Sequence, residues 1–482
     1  SATQTDFNGN FALQGKNPKN KLVVSYVGSK TYVVEIGAKT VFNVVLQSEQ
    51  TQLKEVTVTS KRQNSGGLMI PKKEISVATQ TFNMENVEGL AFTSADEALQ
   101  GEIAGLDIVA NSGNLGSGTQ MRLRGVTTIN GDANPLIVVN DKIFDNPDSE
   151  FDFANANDED YAALLSVNVD DIAKIEVLKD AAATAIWGSQ GSNGVICITT
   201  KRGVRGPTRV NFSYKFRGMW QPKGYTLLDG DGYTMLMKEA FYNPGQASGA
   251  TTDINELNYN KSWADYENWN NNTDWVDEVT QFGPQHEYNF NLSGGGEKAT
   301  FRIAAGYKHQ TGSVIKQNFQ QFTTRMALDY NVSDRIRFSA EFPLTYTNNV
   351  KNYKGLLGIA QKLAPNMAIY RQNADGTDTD EYYLMNPSGN ATQGNFSSSE
   401  LSKIRDLGNP IAIANLAWAK EQVYRITPDF NVKYELLGID SESHRLTFNG
   451  RVDFDIYANS TPSYAPAGLQ TGIGINESWN AS

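Results

Sequence analysis

Between residues 207 and 482 apolar and polar side chains change places at every second position, and this pattern limits the possible folds more than anything else in the chain. Val210, Phe212, Tyr214 and Phe216 alternate with Asn211, Ser213, Lys215 and Arg217. The same alternation carries Tyr288, Phe290 and Leu292, then Phe301, Ile303 and Tyr307, then Met326, Leu328 and Tyr330. It returns in Ile336, Phe338 and Phe342, in Phe430, Val432 and Tyr434, and in Leu446, Phe448 and Val452. A period of two puts the two sets on opposite faces of a strand. The count is seven strands, each with one continuous apolar, aromatic face and one charged face. A soluble sandwich seldom sets so many charges opposite such a face, whereas a barrel with lipid outside and a polar lumen inside requires them.

The connections obey the same architecture. Tight turns at 294–297, 331–334 and 438–443 alternate with connections at 221–284, 311–318 and 348–423, so the longer ones gather at one end. Hydrophobic residues make up only 39% of the chain, yet it holds 21 Tyr, 22 Phe and 7 Trp. No run of eighteen apolar residues offers a membrane-spanning helix. Seven strands leave an open edge, which lipid does not tolerate, so the pattern leads us to expect further strands beyond Ser482.

Residues 65–206 read as a mixed α/β domain. Ser94 and Glu97 form a capping box for a short helix. Strands are expected at 106–109, 121–125 and 135–140, and 175–178 leads into KDAAATAIWGSQGSNGVICITTKR at 179–202. There Gly188, Gly191 and Gly194 recur at a spacing of three before an apolar strand and a basic pair. Arg122 and Arg124, with Gly125 after them, put basic groups on one face of their strand. They suit either ligand contact or pairing with acids on a barrel wall. The acidic stretch 145–160 fits a solvated loop or a calcium site. Cys197 lies in an apolar strand and reads as a small buried hydrophobe.

Residues 1–50 read as part of a small β-sandwich, with strands at 21–27, 31–36 and 40–46. Asp6, Asn8 and Asn10 fit a plain turn, or a calcium loop lacking its closing glutamate. Residues 51–64 are polar, with Val56 and Val58 alternating in a way that would let the segment add to another protein's sheet edge.

The motif at 179–202, together with L-Q-G-x-x-x-G-L, R-L-R-G and P-L-I-V-V upstream, resembles the plug of SusC-like TonB-dependent outer-membrane transporters of Bacteroides-type bacteria. D-x-N-G-x-F and V-S-Y-V-G near the start resemble the carboxypeptidase-regulatory-like domain that precedes the plug in that branch. The resemblance implies a mainly β protein: an α/β plug at 65–206 and the first part of a transmembrane antiparallel β-barrel at 207–482, incomplete at seven of twenty-two strands. It assigns Leu53, Lys54, Glu55, Val56, Thr57, Val58, Thr59 and Ser60 to a TonB box within a tether at 51–64. It implies plug gating and packing roles for Arg122, Arg124, Gly125, Gly188, Gly191 and Gly194, with the glycines fitting the plug to the barrel wall.

The function implied is TonB-dependent import of an oligosaccharide or peptide across the outer membrane. Its partners would be a SusD-like surface lipoprotein, TonB with the ExbB/ExbD energy complex, and outer-membrane lipid. Plug and N-terminal domain would face the periplasm, and the long loops the exterior. A siderophore or cobalamin receptor, and a non-transporting adhesin or assembly subunit, are the alternatives. Trp263, Tyr266, Trp269 and Trp275 offer aromatic faces for substrate or partner contact, or for packing within their loop. Three isolated histidines and the absence of H-E-x-x-H, C-x-x-C and G-x-S-x-G leave no expected catalytic site, metal or cofactor. Gly113, Gly116 and Gly118 lack the dinucleotide spacing. A net charge of −11 argues against nucleic acid.

Overall fold

The computed structural model describes residues 3–6, 9–13, 21–25, 31–37, 40–45, 79–87, 95–110, 115–116, 119–123, 125, 134–144, 167–180, 184–248, 255–257, 259–384, 407–437, 446–466 and 469. Two compact units divide between Ser76 and Val77. In the first, β1 (Lys21–Val24) pairs antiparallel with β2 (Tyr32–Glu35). A strand expected at 40–46 is not formed over 40–45, where Val41 and Val45 stand exposed. Asp6 holds a turn: its Oδ1 accepts the amide of Asn10 at 2.7 Å, and its carbonyl accepts that of Gly9.

The second unit begins with seven short strands: β3 (Thr79–Asn83), β4 (Leu106–Ala110), β5 (Thr119–Leu123), β6 (Leu136–Val139), β7 (Lys142–Ile143), β8 (Ile172–Leu178) and β9 (Val195–Thr200). Five form one sheet in the order β3-β8-β9-β6-β7, in which β6 and β9 run parallel. β4 and β5 pair separately. The helix Ala95–Leu99 and the sheet share a core containing Leu99, Ile103, Ile175, Val177, Ile196 and Ile198. Asn140 and Asp141 join β6 to β7 at φ 50° and 65°, the left-handed pair that a tight hairpin turn requires. Asn and Asp tolerate that region better than other non-glycine residues.

The barrel strands follow: β10 (Gly206–Met219), β11 (Gly283–Gly295), β12 (Ala299–Thr311), β13 (Asn318–Asn331) and β14 (Ile336–Lys351). Each pairs antiparallel with the next. β14 is then covered by two collinear pieces, β17 (Trp418–Ile426) and β18 (Asp429–Leu437). Pro428, which has no amide hydrogen, sits in the interruption between them. β19 (Leu446–Asp453) and β20 (Ile456–Ser460) cover β18 and β17 in the same split manner. Among the described residues seven spans therefore stand where the sequence shows seven alternating segments. The sixth starts at Trp418, inside the stretch expected to be loop.

Burial follows the alternation. On β11, Gln285, Glu287 and Asn289 are buried while Tyr288 and Phe290 remain 40% exposed. On β13, Gln321, Thr323, Arg325 and Asp329 are buried while Phe322, Met326 and Leu328 are exposed. The polar face meets the plug and the apolar face looks outward, the inverse of a water-soluble protein. Among the described residues no helix is long and apolar enough to cross a membrane.

Two of the connections at the loop end are structured. Residues 220–282 carry the helices Gly230–Ser248 and Trp275–Val279. Residues 352–417 carry the helices Leu356–Ala360 and Pro410–Leu416 and the hairpin β15 (Tyr370–Gln372) to β16 (Asp378–Tyr382). Trp275, Val279, Leu356, Met367, Ile411 and Ile413 are among the residues of one apolar core that knits them together.

Candidate functional site

The open end of the β8–β9 pair projects onto the polar wall of β11–β14 and sets up the central contact. Before β8, Asn168 caps a single turn, Val169–Asp171, its side chain accepting the amide of Asp170 at 2.9 Å. That turn aims two successive carboxylates at the wall. Asp171, 3% exposed, takes Arg302 Nε at 2.7 Å on one oxygen and Arg325 Nη1 at 2.6 Å on the other. Asp170 takes Lys215 Nζ and, at 2.6 Å, the amide of Asn289. Asn168 itself donates to Asn289 Oδ1 at 2.9 Å.

The basic pair that closes the motif at 179–202 completes the contact. The amide of Lys201 donates to the Asp171 carbonyl at 2.7 Å, and its own carbonyl accepts Arg325 Nη1 at 2.9 Å. Arg202 pairs with Glu341 and lies 3.5 Å from Asp329. Arg325 Nη2 reaches Glu341 at 3.1 Å, so Asp171, Arg325, Glu341 and Arg202 form a chain of alternating charge from plug to wall and back. Asn140, at the β6–β7 turn, donates to Thr200 Oγ1 and to Glu341 Oε2. Further out, Lys142 pairs with Asp453 at 3.1 Å, and Arg217 with Glu97 at 2.8 Å.

Such a boundary is sensitive to the loss of any one partner and contains little dry apolar contact. Losing one partner of a buried ion pair costs roughly 3–5 kcal/mol, while the pair as a whole gains little over an apolar substitute. A cavity of about 90 Å³ lies within it, where Asn140, Asp171, Arg325, Glu341, Arg425 and Arg451 share the lining with Val139, Phe144, Val167, Ala304 and Pro343; it is large enough to hold water against the polar groups.

Several residues singled out from sequence take other places. In the register of β5, Arg122 stands across from Asp107 of β4. The boundary carries both polarities: Asp170, Asp171 and Glu97 of the plug meet wall bases, while Lys142 and Arg202 of the plug meet the wall acids Asp453 and Glu341. Arg124, the stretch 145–160, Asn8 and all of Leu53, Lys54, Glu55, Val56, Thr57, Val58, Thr59 and Ser60 lie outside the described residues. Gly125 and Gly188 hold φ of 90° and 60°. A side chain at Gly194 would strike Leu123, and one at Gly191 would strike Thr184. Their nearest neighbours are thus plug atoms, and not the barrel wall that the sequence reading assigned them. Glycines that do meet the wall are Gly116, whose absent Cβ would lie 2.6 Å from Asn349 Nδ2, and Gly203, whose Cβ would lie 2.6 Å from the Phe301 carbonyl oxygen.

Trp269 and Trp275 are buried in the loop core, Trp263 packs against it, and Tyr266 is buried nearby in the chain. Trp269 Nε1 donates to Tyr383 at 2.8 Å and Trp275 Nε1 to the Ala364 carbonyl at 2.9 Å. Their rings and indole donors are committed to holding the loops together.

A family model described as TonB-dependent Receptor Plug Domain matches residues 71–195. TonB-dependent receptor P3 of Formosa agariphila is 27% identical over 98% of this chain and 41% of its own length. TonB-dependent receptor SusC of Bacteroides thetaiotaomicron is 29% identical over 77% of this chain and 34% of its own. Among solved structures, the RagAB peptide importer in its closed-closed state superposes with a TM-score of 0.60 at 17% identity, covering 82% of this chain and 42% of that one. The chain thus spans less than half the length of each of these relatives.

Proposed function

We propose that this chain, a SusC-like TonB-dependent receptor in its plug and first barrel strands, works as an energy-coupled importer of a nutrient, an oligosaccharide or a peptide, across the outer membrane. The observation that supports this is the charged, cavity-bearing seat of the plug. A domain that only sealed the lumen would gain most from dry apolar packing. One that must leave its seat and return needs contacts that water can replace. In this reading residues 1–50 are a small β domain and 51–64 a periplasmic tether carrying the TonB box at Leu53–Ser60. TonB, driven by the ExbB/ExbD complex, would grip that box as an added strand and pull. The plug then alternates between seated and displaced states, and the work comes from the inner membrane, with no chemistry on the substrate. The long connections face outward beneath a SusD-like lipoprotein.

Deleting residues 51–60 tests the proposal. Uptake of the cognate nutrient is expected to fall to background while the receptor still reaches the membrane. Undiminished uptake would refute energy coupling, and failure of a lipoprotein to co-purify would favour a receptor of the siderophore or cobalamin kind.

A further inference from the structure

Across the seven spans, the outward register positions of the described residues hold no carboxylate and a single cation, Lys420 of β17. The registers also give its level. Tyr214, Tyr288, Tyr307, Phe322, Tyr346 and Tyr424 are successive partners from β10 to β17 and form one outward row of rings. One step toward the loop end the same face turns polar, with His286, His309, Gln320, Asn348 and Gln422 as successive partners. Rings that bound an apolar band mark where a barrel passes from acyl chains to headgroups. Lys420 lies two residues beyond Gln422, across from Val350. It therefore stands on the headgroup side of that boundary.

No acidic side chain neutralises it. The ammonium lies 4.6 Å over the Trp418 ring, which packs against Tyr464 with centroids 6.3 Å apart. Glu421, the next residue, faces the lumen and pairs with Lys351 at 2.6 Å. Among the described residues no carboxylate pairs with Lys420. An aromatic face attracts a cation but carries no counter-charge. On a surface that meets lipid, the remaining source of that charge is a headgroup, which a lysine reaches along its apolar stem. Gln422 adds a donor: one N–H of its amide goes to Asn348 Oδ1 at 3.4 Å, and the group carries a second. Below it the rings of Tyr346 and Tyr424, 4.5 Å apart, offer a flat bed for an acyl chain. A zwitterionic headgroup would bring its own ammonium to a face with no carboxylate to receive it.

We propose that Lys420, Trp418 and Gln422 form a binding site for the headgroup of an anionic, phosphate-bearing lipid in the leaflet at the loop end of the barrel. The site rests on the reading of the apolar face as lipid-facing. Trp418 opens β17 directly after the helix Pro410–Leu416, so a lipid held here braces the foot of the connection 352–417.

The test uses the full-length receptor in detergent, with bound lipids counted and their affinities read by native mass spectrometry. Phosphatidylglycerol is compared with phosphatidylcholine of the same acyl chains, and with inorganic phosphate. Wild type is expected to hold phosphatidylglycerol about fivefold more tightly than phosphatidylcholine, the worth of about one lysine at an anionic surface. Lys420→Met removes a charge from a lipid-facing surface, which does not impair insertion, and should abolish the preference. Lys420→Arg should keep it, and Gln422→Leu should weaken phosphatidylglycerol binding about threefold. Lys298→Met, in an exposed turn at the opposite end, should change nothing. No preference in the wild type, a preference that survives Lys420→Met, or one lost equally in Lys298→Met would each overturn the proposal. So would inorganic phosphate bound at Lys420 in place of lipid, or wild-type dimers that only Lys420→Met splits, which would give the face to a second copy. A receptor that stays soluble without detergent and binds neither lipid would instead refute the lipid-facing reading itself.

Discussion

Removing the carboxylate of Asp171 takes a charge partner from two guanidinium groups on the barrel wall, leaving Arg302 with Asn291 and Arg325 with Glu341. Arg302 and Arg325 are both buried and both bonded to it, so Asp171→Ala should loosen the plug by about 3–5 kcal/mol. Adding Arg302→Met to the variant should recover part of that loss, because one uncompensated charge disappears. Cys197 supplies the readout. Burial, with Glu176 and Asp141 nearby, pushes its thiol from 9.0 to about 12. At pH 8 its thiolate fraction is then about a thousandfold below that of an ordinary thiol, and maleimide should label the seated plug correspondingly slowly. The raised value also fixes the pH dependence: its stabilising effect is intact below pH 9 and fades as pH climbs toward 12. Labelling of wild-type protein at the rate of free cysteine would refute the burial argument. Equal, slow labelling of wild type and Asp171→Ala would refute the role of Asp171.

Among elements, those with simple periodicity could be read from sequence and those with mixed faces could not. β10 to β14 keep apolar residues outward over their central parts, with Thr324 of β13 between Phe322 and Met326 the polar exception. β17 does not: Lys420 and Gln422 share the outward face with Trp418, Tyr424 and Ile426, and Lys420 lies 4.6 Å over the Trp418 ring. The cation is covered by an aromatic neighbour, a contact no alternation count registers, so the strand passed for loop. The loop tryptophans looked available for ligands because only tertiary packing tells a core from a patch. The charged seat was missed at Asp170 and Asp171 because its charged partners on the wall, from Lys215 to Arg325, lie 45 to 154 residues away, and alternation shows which side chains face the lumen but not what they meet. The glycine motif separates into distinct demands. Gly194 combines φ of 97° with Leu123 Cδ1 2.6 Å from any Cβ, while Gly188 at φ 60° has open space. Gly194→Ala should therefore lower plug stability by about 1–3 kcal/mol, and Gly188→Ala by about 1 kcal/mol. Limited proteolysis of the plug would check the order, and the reverse order would show that backbone strain alone governs the motif.

Across the whole molecule, the two faces of one sheet answer to different solvents, and neighbouring residues on a strand should fail in different ways. Phe290 lies near the middle of β11, faces outward and is 40% exposed, opposite Phe212. Phe290→Lys puts a charge where lipid is expected, at roughly 2–4 kcal/mol near the midplane, and should reduce the membrane-inserted, heat-modifiable form on gels. Asn289 is the next residue and points the other way, 2% exposed and bonded to Asp170, Glu287 and Asn168. Asn289→Ala should leave insertion intact, since it adds no charge to the lipid face. It should instead speed maleimide labelling of Cys197, because Asp170 loses one of its wall partners and keeps Lys215 and Ser213. The two effects must separate if the alternation divides lipid from lumen. Failure of both variants at insertion, or of neither at its own readout, would mean that the apolar face meets something other than a bilayer.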